Sequence, residues 1–426
     1  MAKGWISCAF SVVLAALAMM QPAAASADKL AISCGAVGTE LRLCREGVES
    51  WSQQTGVAVE IVSTPNSSTE RLALYQQFLA AGASDIDIMQ VDVIWPGILA
   101  PHLADISQYI PGAASGHMPA LITNNTVDEK LVALPWFTAA GVLYYRKDLL
   151  AKHGFAPPAT WGEMTRTAKA VMEAERAAGD MGLWGYVWQG KAYEGLTCNA
   201  LEWLDSSGGG TIVAADGSIT VDNERAVAAL SMAAGWVGTI SPPGILNYDE
   251  EASRGVFQSG NAVFMRNWPY AWSLSQSDGS AIKGKVAVAP LPKGDGAGRH
   301  AATLGGWGLA VSKYSKDPQR AAELAAFLTS SAEQKRRVLA ASYNPTRPAL
   351  YADPDVLAAN PFIVTLEAAF ADAVARPSTV TGDKYNRVSA QFWAAVHGVL
   401  AGRQKAKPAL ADLAAGLDRI SRRGRW

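Results

Sequence analysis

Short strands alternate with amphipathic helices along most of this chain, and that order restricts the fold to α/β architecture, with parallel sheets covered by helices on both faces. A strand over Lys29 to Ser33 leads through a Gly-containing turn into a helix from about Thr39 to Gln54, stopped by Thr55-Gly56. A strand over Val57 to Ser63 follows, then a helix to Ala81 that Ser67, Ser68, Thr69 and Glu70 are suited to cap, with Gly82 as its stop. Asp85 to Val91 reads as the next strand, with Asp92 just past its carboxyl end. A second block repeats the alternation: strands over Val142 to Tyr145 and Gly185 to Trp188, helices over Trp161 to Ala178 and Gly195 to Ser206, then the break Gly208-Gly209-Gly210. A helix over Asn223 to Val237 and one ending near Ser259 precede strands over Asn261 to Asn267, Lys285 to Ala289 and Gly306 to Val311. The remainder reads as helix, including Pro318 to Ala341, Pro361 to Ala375 and Val388 to Leu400.

No repeat or polar linker divides the chain into independent halves, so it is expected to cross between two lobes more than once. Ligands of open α/β sheets collect outside the carboxyl ends of the strands, and two facing lobes make a cleft there.

The first 27 residues read as a cleavable secretion signal: Lys3, an apolar run from Ala9 to Met20, and the small residues Ala25-Ser26-Ala27. The run is shorter than the roughly 20 residues that span a bilayer, and Cys8 lies near its start rather than after its end, which argues against a lipid-bearing cysteine. A periplasmic chain beginning at Asp28 is expected. Removing residues 1–27, which carry one lysine and no acid, takes the formal charge from -1 to -2 and leaves 399 residues, long for one core. No basic field exists to hold nucleic acid or an anionic membrane. Of four cysteines, Cys34, Cys44 and Cys198 remain; Cys34 and Cys44 as a disulfide or as buried small residues are both open.

The five histidines, His102, His117, His153, His300 and His397, show no metal-ligand spacing, and neither a nucleophile elbow nor a phosphate or dinucleotide loop is present, so no cofactor is expected. Aromatics carry more information. Trp268, Tyr270 and Trp272 follow a strand, and Trp307 follows Gly305-Gly306. Flat rings pack on the C–H face of a pyranose, while carboxylates and Arg bind its hydroxyls. Some of the 14 tryptophans must still be core, and Trp272 is assigned there. Glu40, Asp92 and Arg376 stand near element ends, where side chains can reach a cleft.

These residues lie in strings that together resemble the extracellular sugar-binding proteins of ABC importers, in particular their trehalose and maltose-binding branch. The most specific strings are residues 91–97 (VDVIWPG), 141–150 (GVLYYRKDLL), 189–196 (QGKAYEGL), 255–270 (GVFQSGNAVFMRNWPY), 304–308 (LGGWG) and 375–377 (ARP), and the likeness spans nearly the whole mature chain. The resemblance implies a two-lobe, hinge-closing periplasmic binding-protein fold of type II, with lobes 28–139 plus 285–343 and 140–284 plus 344–426. It implies a small sugar or glycoside ligand, permease subunits as partners, a monomer, and no enzymatic activity. By matching strings, Glu40 and Asp92 would accept sugar hydroxyls, joined by the Asn66-Ser67-Ser68 turn. Trp268 would stack, with Tyr270 beside it; Gly305, Gly306 and Trp307 would line the floor; and Arg376 would clamp a ligand oxygen. Tyr193 and Glu194 complete the set. The reading from another class is a secreted glycoside hydrolase using two of Glu40, Asp92 and Glu194.

One departure bears on the ligand. Where disaccharide-binding relatives resemble Tyr-x-Asp-Ala-Gly, this chain reads Phe137-Thr138-Ala139-Ala140-Gly141. Loss of a charged hydrogen bond costs about 1.5–3 kcal/mol, or roughly ten- to 150-fold in affinity. Ala139→Asp is therefore expected to gain disaccharide affinity of that order by titration calorimetry, and no gain would refute a specificity role for Ala139.

Overall fold

Polar caps and apolar faces set several helix limits. Thr160 and Glu163 form a reciprocal capping box at the start of helix Trp161–Ala177, whose Trp161, Met164, Ala168, Val171 and Met172 bury one face at helical spacing. The helix Gly38–Thr55 likewise buries Leu43, Cys44, Gly47, Val48 and Trp51. The computed structural model of the chain describes residue 1 and residues 29–426 except 37, 297, 364, 365, 367–372 and 423. Apart from Met1, the leader expected over 1–27 lies outside the described residues, as does most of the helix expected over 361–375.

The strands are β1 (Leu30–Ser33), β2 (Val59–Ile61), β3 (Ile88–Asp92), β4 (Thr126–Val127), β5 (Lys130–Leu131), β6 (Leu134–Ala140), β7 (Val142–Arg146), β8 (Trp184–Val187), β9 (Ala262–Asn267), β10 (Val286–Pro290), β11 (Ala302–Val311) and β12 (Ala373–Val374). One sheet runs β2-β1-β3-β11, with β6 on the far side of β11 and β12 at its start; the second runs β10-β7-β9-β8. The expectation of parallel sheets is corrected. β1 pairs with β2 and β3 in parallel, as does β8 with β9, but β11 is antiparallel to β3 and β6, and β7 is antiparallel to β9 and β10. β6 of the first sheet passes directly into β7 of the second with only Gly141 between them.

The first sheet carries apolar side chains on both faces, one set around Leu43, Trp51 and Leu324, the other around Tyr75, Trp95 and Leu103. The second is buried among Trp161, Trp188, Trp203 and Phe257 and the helices Tyr385–Leu400 and Ala406–Ser421. Three local expectations change. β10, expected with the first lobe, pairs along its whole length with β7 of the second sheet, so the chain returns to the first sheet only between Pro290 and Ala302. The long helix over 318–341 is two, Pro318–Leu328 and Ser331–Ala341, because Ser330 starts a new cap on Glu333. Residues 373–374, expected as helix, pair with Ala302–Thr303 as strand. Cys34 and Cys44 form a disulfide, Cα atoms 6.1 Å apart, joining β1 to the following helix, and Cys198 is free and buried. Trp272 is half-buried against Phe362, ring centroids 5.1 Å apart.

Between the sheets lies a fully buried ion pair. Glu202, on helix Glu194–Ser206, and Arg266, on β9, are both 0% exposed and joined by two hydrogen bonds, one at 2.9 Å. Glu202 also accepts from the Thr303 amide of β11 at 3.0 Å, and Arg266 donates to Gln189 at 3.0 Å. A side chain at Gly141 would collide with both partners, which is why the link between β6 and β7 is glycine. Replacing Glu202 by Ala strands the guanidinium and is expected to cost about 3–5 kcal/mol of stability, read as a lower urea midpoint at unchanged slope.

Candidate functional site

The register of β11 assembles the floor of a cleft. Trp307 stands opposite Asp92 on one side and Phe137 on the other, while Gly305 and Gly306 stand opposite Ala139 and Thr138. Above them is a cavity of about 220 Å³ between the two sheets, lined by Glu40, Asn66, Ser68, Asp92, Phe137, Ala139, Tyr193, Glu194, Trp268, Tyr270, Gly305, Gly306, Trp307 and Arg376. Of the residues singled out from sequence, only Ser67 is not among them; its hydroxyl accepts from the Glu70 amide and caps the helix Ser68–Ala80. Asp92 is the last residue of β3, and Glu40 lies in the first turn of the helix after β1.

Arg376 is 5% exposed and links Asp92 of the first sheet to Glu194, which begins the helix Glu194–Ser206 on the second. Its Nη2 donates to Asp92 Oδ1 at 2.6 Å and its Nη1 to Glu194 Oε1 at 3.0 Å, while its Nε is buried with no partner among the described residues. Tyr385 and Ser389 also donate to Glu194, at 2.5 and 2.6 Å. Burial pushes the Glu194 carboxyl up, opposed by Arg376 and the two hydroxyls. Burial works against the charge of Arg376, but Asp92 and its other neighbours raise it well above the ordinary guanidinium value. The guanidinium therefore stays charged, with three of its five N–H groups given to Asp92 and Glu194.

Trp268 rests against Gly305 so closely that a Cβ there would lie 2.9 Å from the ring. One face of the ring lies over the Arg266 guanidinium, 4.0 Å from the centroid, so the buried ion pair beneath the cleft also supports the stacking residue. Trp307 is wedged edge-on against Trp95 at 5.3 Å and under Arg71 at 4.9 Å. Glu40 accepts from Gln90 at 2.8 Å, and Gln90 in turn accepts from Arg71 at 3.1 Å. Phe137 packs on Tyr343 at 4.8 Å.

Sequence reasoning missed Arg71, Glu250, Glu251, Arg254 and Tyr343, which also line the cavity. Glu250 and Glu251 open the helix Glu250–Gln258, where an acidic first turn is ordinary complement to the helix dipole; their local sequence carries no sign that both face a cleft. Glu250 accepts from Tyr193 Oη at 2.5 Å and Trp268 Nε1 at 3.4 Å, and Glu251 accepts from Tyr270 Oη at 2.6 Å. The histidines are held elsewhere, for example His117 by Thr346 and His153 by Glu175. Among the described residues no three His, Cys, Asp or Glu side chains group as metal ligands would, and no helix is long and apolar enough to cross a membrane.

Residues 43–335 match the family described as bacterial extracellular solute-binding protein. A protein of Deinococcus radiodurans named probable ABC transporter-binding protein is 52% identical over 402 residues, covering 94% of this chain and 95% of that one. The chain belongs to the bacterial extracellular solute-binding proteins. Among solved structures, the maltose-bound MalE3 of T. maritima superposes with a TM-score of 0.87 at 43% identity over 92% of this chain and 99% of that one. The GacH receptor of Streptomyces glaucescens GLA.O, solved unliganded and with acarbose, matches in fold, with a TM-score of 0.80 at 23% identity over 92% and 98%. The two-lobe architecture of periplasmic binding proteins is therefore this chain's architecture.

Glu250 pairs with no cation among the described residues, and burial, the largest influence, raises its carboxyl above the ordinary 4.5. A raised native value means that the folded chain takes up this proton more readily than the unfolded one. The associated stability is present below pH 4.5 and is lost as pH rises through the native value. Glu250→Gln should therefore melt above wild type at neutral pH, with the gap closing as pH falls below the ordinary value; thermal scans across that range check the sign.

Proposed function

We infer that this chain is the substrate-binding component of an ABC importer, capturing a disaccharide or other small glycoside in the periplasm and delivering it to membrane permease subunits by hinge closure. The carrying observation is the cleft between the two sheets, where the Trp268 ring, backed by Arg266, stands beside the Asp92–Arg376–Glu194 network. The likeness to the maltose-bound protein of T. maritima supports a sugar as ligand. Glu40, Asn66, Ser68 and Asp92 serve as the first lobe's polar contacts, Trp268 stacks, Tyr193 and Tyr270 flank it, and Arg376 clamps a ligand oxygen. Ala139 and Phe137 shape the floor beside Gly305, Gly306 and Trp307.

In this reading the lobes are 28–139 with the segment from Ala302 to 343, and 140–290 with 344–426 apart from β12, which pairs with β11 in the first sheet, the boundary moved past β10 by its pairing with β7. Closing the lobes expels water from Trp268 and strengthens each polar contact. The leader is removed and the protein acts as a monomer.

Calorimetric titration of residues 28–426 with trehalose, maltose, sucrose and glucose, followed by product analysis, tests the function. Saturable one-to-one binding with the sugar unchanged is expected; release of monosaccharide would overturn it. Trp268→Ala removes the stacking face and is expected to lower affinity by about 2 kcal/mol, roughly thirtyfold, with the fold retained by circular dichroism.

A further inference from the structure

The two carboxylates at the start of helix Glu250–Gln258 each hold a phenol of the cleft by its only proton. Tyr193 donates to Glu250 at 2.5 Å and Tyr270 to Glu251 at 2.6 Å. Burial, with the adjacent carboxylate second, raises both phenols well above their ordinary value, so the phenol is the donor in each pair. A phenol has one hydrogen to give and two lone pairs, and a carboxylate can only accept. With its proton committed, each tyrosine oxygen offers the cleft acceptor capacity alone. The Trp268 Nε1 proton is turned the same way, toward Glu250 at 3.4 Å.

The three cavity guanidiniums are already engaged by the protein. Arg71 donates to Gln90 and to the Pro65 carbonyl, Arg254 to Glu251 and Gln258, and Arg376 to Asp92 and Glu194. Five carboxylates, Glu40, Asp92, Glu194, Glu250 and Glu251, line the same space.

We propose that the Tyr193–Glu250 and Tyr270–Glu251 pairs form an acceptor-only wall that sets ligand class. The wall selects neutral or amine-bearing glycosides whose groups facing it donate hydrogen bonds, and it rejects acidic sugars. This rests on the reading of the cleft as a sugar site. A hydroxyl or ammonium at this wall finds lone pairs. At the wall a carboxylate or phosphate meets two carboxylates, one of them paired with Arg254, and phenol and indole protons already given to those carboxylates. Glu250 and Glu251 are specificity determinants because a glutamine in either place brings an N–H to the wall and lets the tyrosine turn its proton outward.

The experiment titrates wild type, Glu250→Gln and Glu251→Gln with maltose and with its derivatives carrying a C6 carboxylate or a C6 amine in place of a hydroxyl. Wild type is expected to bind the amine at least as tightly as maltose and the carboxylate at least tenfold more weakly. Each variant should narrow the maltose-to-carboxylate ratio by threefold or more. That ratio does not move with a general loss of fold, which melting curves of each variant monitor. Equal wild-type affinity for maltose and the carboxylate, or an unchanged ratio in both variants, overturns the acceptor wall alone. Wild type that binds none of the three overturns the sugar-site reading, and the wall with it.

Discussion

The buried Glu202–Arg266 pair is the junction on which the cleft depends. Two charges removed from water are tolerable only when every remaining donor and acceptor is used, and here they are shared with Gln189 and the Thr303 amide. Those bonds tie a helix of the second sheet's layer, strand β9 and the start of β11 to one point. The junction also leaves no room for a side chain at Gly141, where β6 passes into β7. Arg266 in turn carries the Trp268 ring. Floor, crossing and stacking residue therefore share one electrostatic support.

Above that support a second ion network reaches across the cleft. Arg376 joins Asp92 from the end of β3 to Glu194 at a helix N-terminus, two carboxylates carried by different sheets. An arginine suits this place because its fork serves two acids at once and remains charged under burial. The same contacts that satisfy Arg376 bring the two walls near each other, so the polar chemistry of the site and the closeness of the lobes have one origin. The wall formed by Glu250 and Glu251 differs in kind: Glu250 is held by donors without a cation, which makes its charge available to a ligand's hydroxyls.

Much of this was legible along the chain. Strand and helix alternation, the cap at Ser67, and the glycines at 305 and 306 are local signals, and most of the elements they predict lie within a few residues of those observed. The cleft residues Asp92, Trp268, Trp307 and Arg376 could be named because they sit in strings with family likeness, and all four line one cavity with Glu40. Strand direction was not legible, since the period-two pattern of β11 is the same whether its neighbours run with it or against it. Residues 373–374 were misread for a related reason: a two-residue strand has no periodicity of its own and exists only because Ala302–Thr303 lies beside it.

The amino-acid sequence by itself determined the class of fold and the kinds of side chain available to a cleft, because capping, periodicity and composition act over a few residues. Tertiary structure alone decided which acids meet which partners. Glu250 and Glu251 read as an ordinary helix start until Tyr193 and Tyr270, distant in sequence, are brought within hydrogen-bond reach. Arg376 reads as a lone basic residue until Asp92 and Glu194 close on it from two sheets. Such pairings depend on distances between segments separated by dozens to hundreds of residues, and only the packed chain sets those distances.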